Sequence, residues 1–254
     1  MARLMDGSRT LRVLARLMAY PEQSLLDAVP QMIDVLRAEE WFSPTLTEQL
    51  ATYMCSIAAR PITEVQEEYV ALFDRGRALS LHLFEHVHGE SRDRGQAMVD
   101  LLELYRDGGL ELDARELPDY LPLMLEYLST RPRPETQELL GDAMGVVVLL
   151  GARLAERKSD YALLFSALEA VVGSPPDADA LKRRVAAEGP DETIERMDDI
   201  WQEEQVSFMG NKDPAGGCSA DRPLPRNPIV DAGIAVRVEN PAAVPAGTEA
   251  TNRR

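Results

Sequence analysis

Large apolar side chains recur three and four positions apart through much of the first 209 residues. Leu11, Leu14, Leu17 and Met18, which follow Ser8, show the pattern clearly. This spacing places side chains on one face of a helix, whereas a half-buried strand requires alternation of apolar and polar residues. No Val- or Ile-rich alternating strand is evident in the sequence. The pattern therefore predicts an all-α fold.

Local signals mark where several of these helices begin. Pro30 falls within an apolar stripe and should kink or divide its helix, because proline lacks the backbone N–H that a helix interior needs. Ser43 followed by Pro44 is typical of an N-cap and a first helical residue, and Pro61 opens a further helix. Together these signals predict a single domain of roughly ten packed helices.

The stretch 135–157 predicts a long helix. It is nearly apolar all round from Ala143 to Ala152, as expected of a central, buried helix. Its glycines indicate close helix packing better than they indicate approach of a ligand; they are Gly141, Gly145 and Gly151. Shorter, charged helices are predicted afterwards, around Leu181–Ala187 and Thr193–Val206.

Composition changes at Gly210. Residues 210–254 contain 6 Pro and 5 Gly, with few large apolar residues such as Leu224, Ile229 and Val230, so we expect a disordered tail there. The folded domain is then 1–209. The tail has a net charge of +1 and the whole chain −16, so the domain carries about −17. This acidity argues against binding of nucleic acid phosphates and favours basic partners.

The cysteines and the apolar runs indicate the cellular compartment. Cys55 and Cys218 lie far apart and form neither a disulfide framework nor a zinc cluster, which is typical of a reducing compartment. A membrane-spanning helix needs about 20 apolar residues, and no run in the sequence is that long. We therefore expect a cytoplasmic protein that does not insert into membranes.

All three histidines fall within seven residues, at His82, His86 and His88. His82, Glu85 and His86 match the H-x-x-E-H pattern of zinc metallopeptidases, in which the glutamate activates water. A zinc peptidase also needs a third ligand and a cleft, and no companion motif follows. The alternative is structural, with histidines hydrogen-bonded to nearby carboxylates or backbone so that they hold a loop between helices.

A longer pattern surrounds the histidines. The segment from Glu67 through Asp74-Arg75-Gly76-Arg77 to the stretch 79–98, which contains His86-Val87-His88-Gly89-Glu90-Ser91, closely resembles the TorD/NarJ-like family of redox-enzyme maturation chaperones. The stretch 117–123, Leu-Pro-Asp-Tyr-Leu-Pro-Leu, resembles a second part of the same pattern. The likeness covers about residues 10–205 and excludes the tail.

This resemblance implies an all-helical cytoplasmic chaperone that is not an enzyme and holds neither cofactor nor metal. Its client would be the apo catalytic (alpha) subunit of a respiratory nitrate reductase, bound chiefly through the subunit's N-terminal segment. The chaperone would keep that subunit competent for molybdenum cofactor insertion and membrane assembly and then leave. Molybdenum cofactor delivery proteins are further candidate partners. A TorD-like chaperone for another molybdoenzyme is the alternative within the family.

An acidic helical domain suits a basic amphipathic leader, whose apolar face would enter a groove between helices. From motif position we predict an apolar groove and a polar rim that together bind the client. The groove residues are Tyr69, Phe73, Leu83 and Phe84, and the rim residues are Glu85, His86, His88, Glu90, Arg92 and Arg94. A further hypothesis is that His86 and His88 tune this binding near neutral pH.

Overall fold

The computed structural model describes residues 8–88, 93–112 and 116–188, together with the backbone of 237–238. Within these residues the chain forms eleven α-helices, one 3₁₀ turn at Arg77–Leu79 and two very short strands. The all-α prediction is confirmed. The helices are α1 Ser8–Met18, α2 Gln23–Asp27, α3 Val29–Glu39, α4 Pro44–Ala58, α5 Ile62–Phe73, α6 Leu83–Val87, α7 Asp93–Asp107, α8 Leu121–Leu128, α9 Arg133–Glu156, α10 Ala162–Val172 and α11 Ala178–Ala186.

The local signals act as expected at the N-terminal helices. The stripe of α1 is buried, and the stripe interrupted by Pro30 is divided into α2 and α3, with Pro30 in the first turn of α3. The Ser43 hydroxyl accepts a hydrogen bond from the backbone N–H of Leu46 at 3.3 Å, which caps α4. An N-cap serine satisfies one of the unpaired amides of the first turn.

Helix α9 lies at the centre of the fold. It packs against α10 and α11 along its length and also contacts α6, α8 and the 3₁₀ turn. Gly151 lies where α9 and α10 approach each other: a β-carbon there would come within 2.9 Å of the Phe165 Cβ. Gly145 faces open space, so close packing explains Gly151 but not Gly145.

The apolar residues of α7 recur at helical spacing, which predicts a buried face, yet the helix is little buried. Tyr105 is its one buried residue, while Met98, Leu101 and Leu102 are half-exposed. After α7 comes strand β1, Leu110–Glu111, which pairs antiparallel with β2, Arg237–Val238. The β2 residues belong to an alternation of apolar side chains, Ile234-Ala-Val-Arg-Val238. This alternation lies within residues 210–254, for which composition alone predicts disorder.

Some predictions fall outside the described residues. They are the helix at Thr193–Val206 and the domain boundary at 209/210, which stay predictions. Among the helices of the described ranges, none combines the length and apolar character needed to cross a bilayer.

Candidate functional site

The histidine segment is held in place by a short backbone pairing with the chain that enters α8. The Leu83 N–H donates to the Asp119 carbonyl at 3.0 Å, and the Leu121 N–H donates to the Leu81 carbonyl at 2.9 Å. His82 and Tyr120 face each other as an isolated antiparallel bridge. This pairing brings together two segments that are more than thirty residues apart in the sequence.

Asp119 is the polar centre of this arrangement. Its side chain is fully buried, at 0% exposure. One carboxylate oxygen accepts a hydrogen bond from His82 Nδ1 at 3.1 Å, and the other accepts from the Phe84 backbone N–H at 3.1 Å. The hydrogen bond to Asp119 raises the pKa of His82, although burial opposes it. A buried carboxylate needs such partners because its desolvation is unfavourable.

Arg94, from the first turns of α7, adds positive charge beside the buried carboxylate. Its guanidinium lies 3.5 Å from a Glu85 carboxylate oxygen and 3.8 Å from an Asp119 oxygen. The single arginine therefore connects α7 to both α6 and the segment before α8. The positive charge of Arg94 partly balances the buried negative charge of Asp119. Glu85, at the other end of this contact, stays partly exposed.

His86 and His88 have separate surroundings. His86 Nε2 donates to the Ser80 carbonyl at 2.8 Å, and burial lowers the pKa of its imidazole, with the Arg153 guanidinium lowering it further. The ring of His88 packs edge-on against Phe84, with centroids 5.5 Å apart. The pKa of His82 is thus raised from the ordinary histidine value of 6.5, and the pKa of His86 is lowered from it.

The zinc interpretation finds no support in this geometry. His82 directs Nδ1 to Asp119, while His86 uses Nε2 as a donor to a carbonyl, so each ring already makes a protein hydrogen bond. Across the described ranges, no three His, Cys, Asp or Glu side chains are grouped so that they could hold a metal ion. The structural interpretation of the histidines fits the observed contacts better.

The predicted client-binding residues divide into two groups. Tyr69, Phe73 and Leu83 are buried, whereas Phe84, Glu85, His86, His88 and Arg94 all keep some exposed surface. Glu90 and Arg92 lie outside the described residues. The structure thus brings Glu85 of α6 and Arg94 together and places Tyr69 against Tyr120, the neighbour of Asp119. The binding role of all ten residues stays a prediction.

The buried aromatics form a connected core beneath the site. The Tyr69 hydroxyl donates to the Met18 carbonyl at 3.1 Å, so its bond with the Tyr120 hydroxyl, at 3.0 Å, has Tyr120 as donor. Burial raises the pKa of Tyr120 to about 12. Tyr69 and Phe73 both pack against Tyr161 of the α9–α10 turn. Through Tyr120, these residues connect the site to the hydrophobic core.

Asp119 and Tyr120 are the residues that the sequence prediction missed. Both lie in the Leu117–Leu123 stretch that resembles the family pattern, yet neither was singled out. An acidic residue between apolar neighbours and two prolines was the available signal. Its partner could not be identified from sequence, because His82 is 37 positions away.

Comparison with known proteins agrees with the resemblance. The family model described as "Nitrate reductase delta subunit" matches residues 40–168. The nitrate reductase molybdenum cofactor assembly chaperone NarJ of Escherichia coli strain K12 is 43% identical over 202 residues, which cover 80% of this chain and 86% of NarJ.

Two further relatives carry related names. The probable nitrate reductase molybdenum cofactor assembly chaperone NarW of Escherichia coli strain K12 is 42% identical over 210 residues, covering 83% of this chain and 87% of NarW. The probable NarJ of Bacillus subtilis strain 168 is 28% identical over 167 residues, covering 66% of this chain and 90% of that protein. This chain therefore belongs to the nitrate reductase delta subunit family, alongside the NarJ chaperones.

Proposed function

We propose that this protein is a cytoplasmic chaperone that binds the apo catalytic subunit of a respiratory nitrate reductase through its N-terminal segment. It keeps that subunit competent for molybdenum cofactor insertion and membrane assembly, carries out no bond chemistry, and is absent from the finished enzyme. The names and identities of the relatives support this role, and they favour nitrate reductase over another molybdoenzyme.

The observation that carries the binding role is the position of the exposed apolar side chains. Val87 is 61% exposed, Leu117 47% and Val99 46%, and together they are three of the four large apolar side chains exposed among the described residues. Val87 lies on α6, Leu117 two positions before Asp119, and Val99 on α7 beyond Arg94. Exposed apolar side chains on adjoining segments, here α6 and the chain paired with its start, support a protein-binding surface.

Acidic side chains accompany this apolar surface. Glu85 and Glu116 are partly or fully exposed, and both carboxylates raise the pKa of His82, so they lie in its electrostatic environment. A basic amphipathic helix would place its apolar face on Phe84, Val87 and Leu117 and its cations toward these carboxylates. The surface therefore fits the N-terminal segment of the client better than it fits an acidic or nucleic acid ligand.

Titration calorimetry with the client's N-terminal peptide tests the proposal. Val87→Ser and Leu117→Ser are both solvent-facing changes, so they should leave folding intact while weakening peptide affinity at least about tenfold. Ala58→Ser is the control, because Ala58 is an exposed apolar residue at the end of α4. If both surface variants bound the peptide as tightly as the wild-type protein does, this surface would be removed from the proposal.

A further inference from the structure

Arg153 lies where three parts of the fold meet. It belongs to the last turn of α9, and its side chain is 20% exposed. Its Nη1 donates a hydrogen bond to the Ala78 carbonyl at 2.9 Å, while its Nε and Nη2 donate to the two carboxylate oxygens of Glu188 at 2.9 and 3.1 Å. The guanidinium therefore connects α9 to the 3₁₀ turn Arg77–Leu79 and to the chain that follows α11.

The 3₁₀ turn leads directly into the candidate site. The Ser80 carbonyl accepts the hydrogen bond from His86 Nε2 at 2.8 Å, and the Ser80 hydroxyl accepts one from the His82 backbone N–H at 3.3 Å. His82 is the N-cap residue of α6, and His86 lies in its last turn. The position of the Ala78 carbonyl therefore affects both the start and the end of α6, through a residue only two places further along the chain.

The positive charge of Arg153 also reaches α6. Burial is the main cause of the lowered pKa of His86, and the Arg153 guanidinium lowers this pKa further. Helix α9 contacts both the 3₁₀ turn and α6. The hydrogen bond to Ala78 and the electrostatic effect on His86 thus independently place Arg153 beside the segment that carries α6.

Glu188 fixes the orientation of the Arg153 guanidinium. Two parallel hydrogen bonds to one carboxylate hold the plane of a guanidinium, which here leaves Nη1 directed at the turn. These bonds lower the pKa of the Glu188 carboxyl, and the charges of Arg184 and Arg157 lower it further, so the carboxylate is ionised at neutral pH. Without that carboxylate, the orientation of Arg153 would depend on its single bond to Ala78, beside two like charges.

We propose that Arg153 and Glu188 form a positioning pair that holds α6 in its client-binding orientation, so that the end of α11 sets the affinity for the client. This inference rests on the proposed function, because α6 carries Phe84 and Val87 of the proposed surface. Neither member of the pair touches the client in this mechanism. Both act through the Ala78 carbonyl and the residues that follow it.

Two variants with opposite changes in charge test the pair. Glu188→Gln removes a negative charge and Arg153→Gln removes a positive one, so a purely electrostatic effect on a basic peptide would have opposite signs. Positioning predicts instead that both variants weaken binding of the client's N-terminal peptide in titration calorimetry, by about three- to thirtyfold. Because the two residues act as one unit, the double variant should bind about as weakly as Arg153→Gln alone. Glu156→Gln and Arg183→Gln, exposed changes on α9 and α11, are the matched controls and should alter affinity less than about twofold.

Histidine NMR of the peptide-free chain supplies a readout that a loss of stability alone would not move. The chain has three histidines, so its imidazole signals are few. Glu188→Gln should shift the signals of His86, which Glu188 reaches only through Arg153, whereas Glu156→Gln should not. Arg153→Gln should raise the pKa of His86, because the guanidinium lowers it.

Unchanged affinity in both variants of the pair, or changes of opposite sign, would overturn the proposal. His86 signals in Glu188→Gln that match those of the wild-type protein would also overturn it. If the wild-type chain failed to bind the peptide, the proposed function would fall, and the His86 signals would still decide whether the pair positions α6. Circular dichroism checks folding; if Arg153→Gln fails to fold, Glu188→Gln decides, because Glu188 is exposed.

Discussion

Replacing Asp119 with alanine removes the acceptor at the centre of the candidate site. The change leaves His82 Nδ1 and the Phe84 N–H without their partner, and both bonds are to a buried carboxylate. A hydrogen bond to a charged group contributes about 1.5–3 kcal/mol. Because His82 is partly exposed and its imidazole can be rehydrated, we take the lower figure for each bond and expect a loss of about 3 kcal/mol.

This loss is large enough to measure by urea or thermal unfolding followed by circular dichroism. For a domain of this size, about 3 kcal/mol corresponds to a fall in Tm of about 6–12 °C. Asp119→Asn keeps one acceptor oxygen but not the charge, so it should lose about half as much. Glu103→Ala, an exposed carboxylate on α7, is the control and should change stability by less than about 0.5 kcal/mol.

The same variant makes a prediction about pH. Asp119 raises the pKa of His82 above 6.5, so the folded state binds a proton that the unfolded chain releases earlier. The stability that this pair contributes is complete below pH 6.5 and is lost as pH rises through the raised pKa. The difference in stability between wild type and Asp119→Ala should therefore shrink above pH 6.5. A difference below about 0.5 kcal/mol at pH 6, or one that grows with pH, would refute the reasoning.

Three further outcomes are expected from unfolding measurements. Gly151→Ala should destabilise the fold by about 1–3 kcal/mol because the added β-carbon meets Phe165. Gly145→Ala, which faces open space, should be neutral or stabilising by up to about 1 kcal/mol. Equal effects of the two changes would contradict the packing argument. Tyr69→Phe should lose about 1–2 kcal/mol of stability with its two hydrogen bonds, and a change below about 0.5 kcal/mol would contradict this account. Burial lowers the pKa of His86, so the stability that its neutral imidazole contributes is complete above pH 6.5 and is lost as pH falls through the lowered pKa. His86→Gln should therefore reduce the fall in the free energy of unfolding, measured with urea, below pH 6.5. An unchanged pH dependence would exclude His86 as the source of that fall.

Features that depend on neighbouring residues were predictable from the sequence. Pro30 divides α2 from α3 and Ser43 caps α4, because each effect is decided within a few residues of the chain. The apolar run in α9 also identified the central helix, since a helix buried on all sides needs apolar residues on all sides.

Features that depend on distant residues were not predictable. The spacing of His82 and His86 was correct for a metal site, but their ring nitrogens are directed by Asp119 and by the Ser80 carbonyl. Gly145 and Gly151 look alike in sequence, and only the approach of α10 distinguishes them. The apolar stripe of α7 predicted a buried face, yet burial depends on which neighbours reach it.

The antiparallel pairing of residues 81–83 with 119–121 joins the two ends of the chain segment that carries α6 and α7. Since α7 buries little of itself, this segment should open locally while its base stays paired, and its amides should exchange with deuterium faster than those of α9 and α10. The end of α7 should be the exception, because the buried Tyr105 hydroxyl donates to the Pro118 carbonyl at 2.8 Å and ties that end to the paired base. Exchange should therefore be fastest in the turns of α7 that precede Tyr105, and an insertion in this helix should be costly because it would turn Tyr105 out of the core.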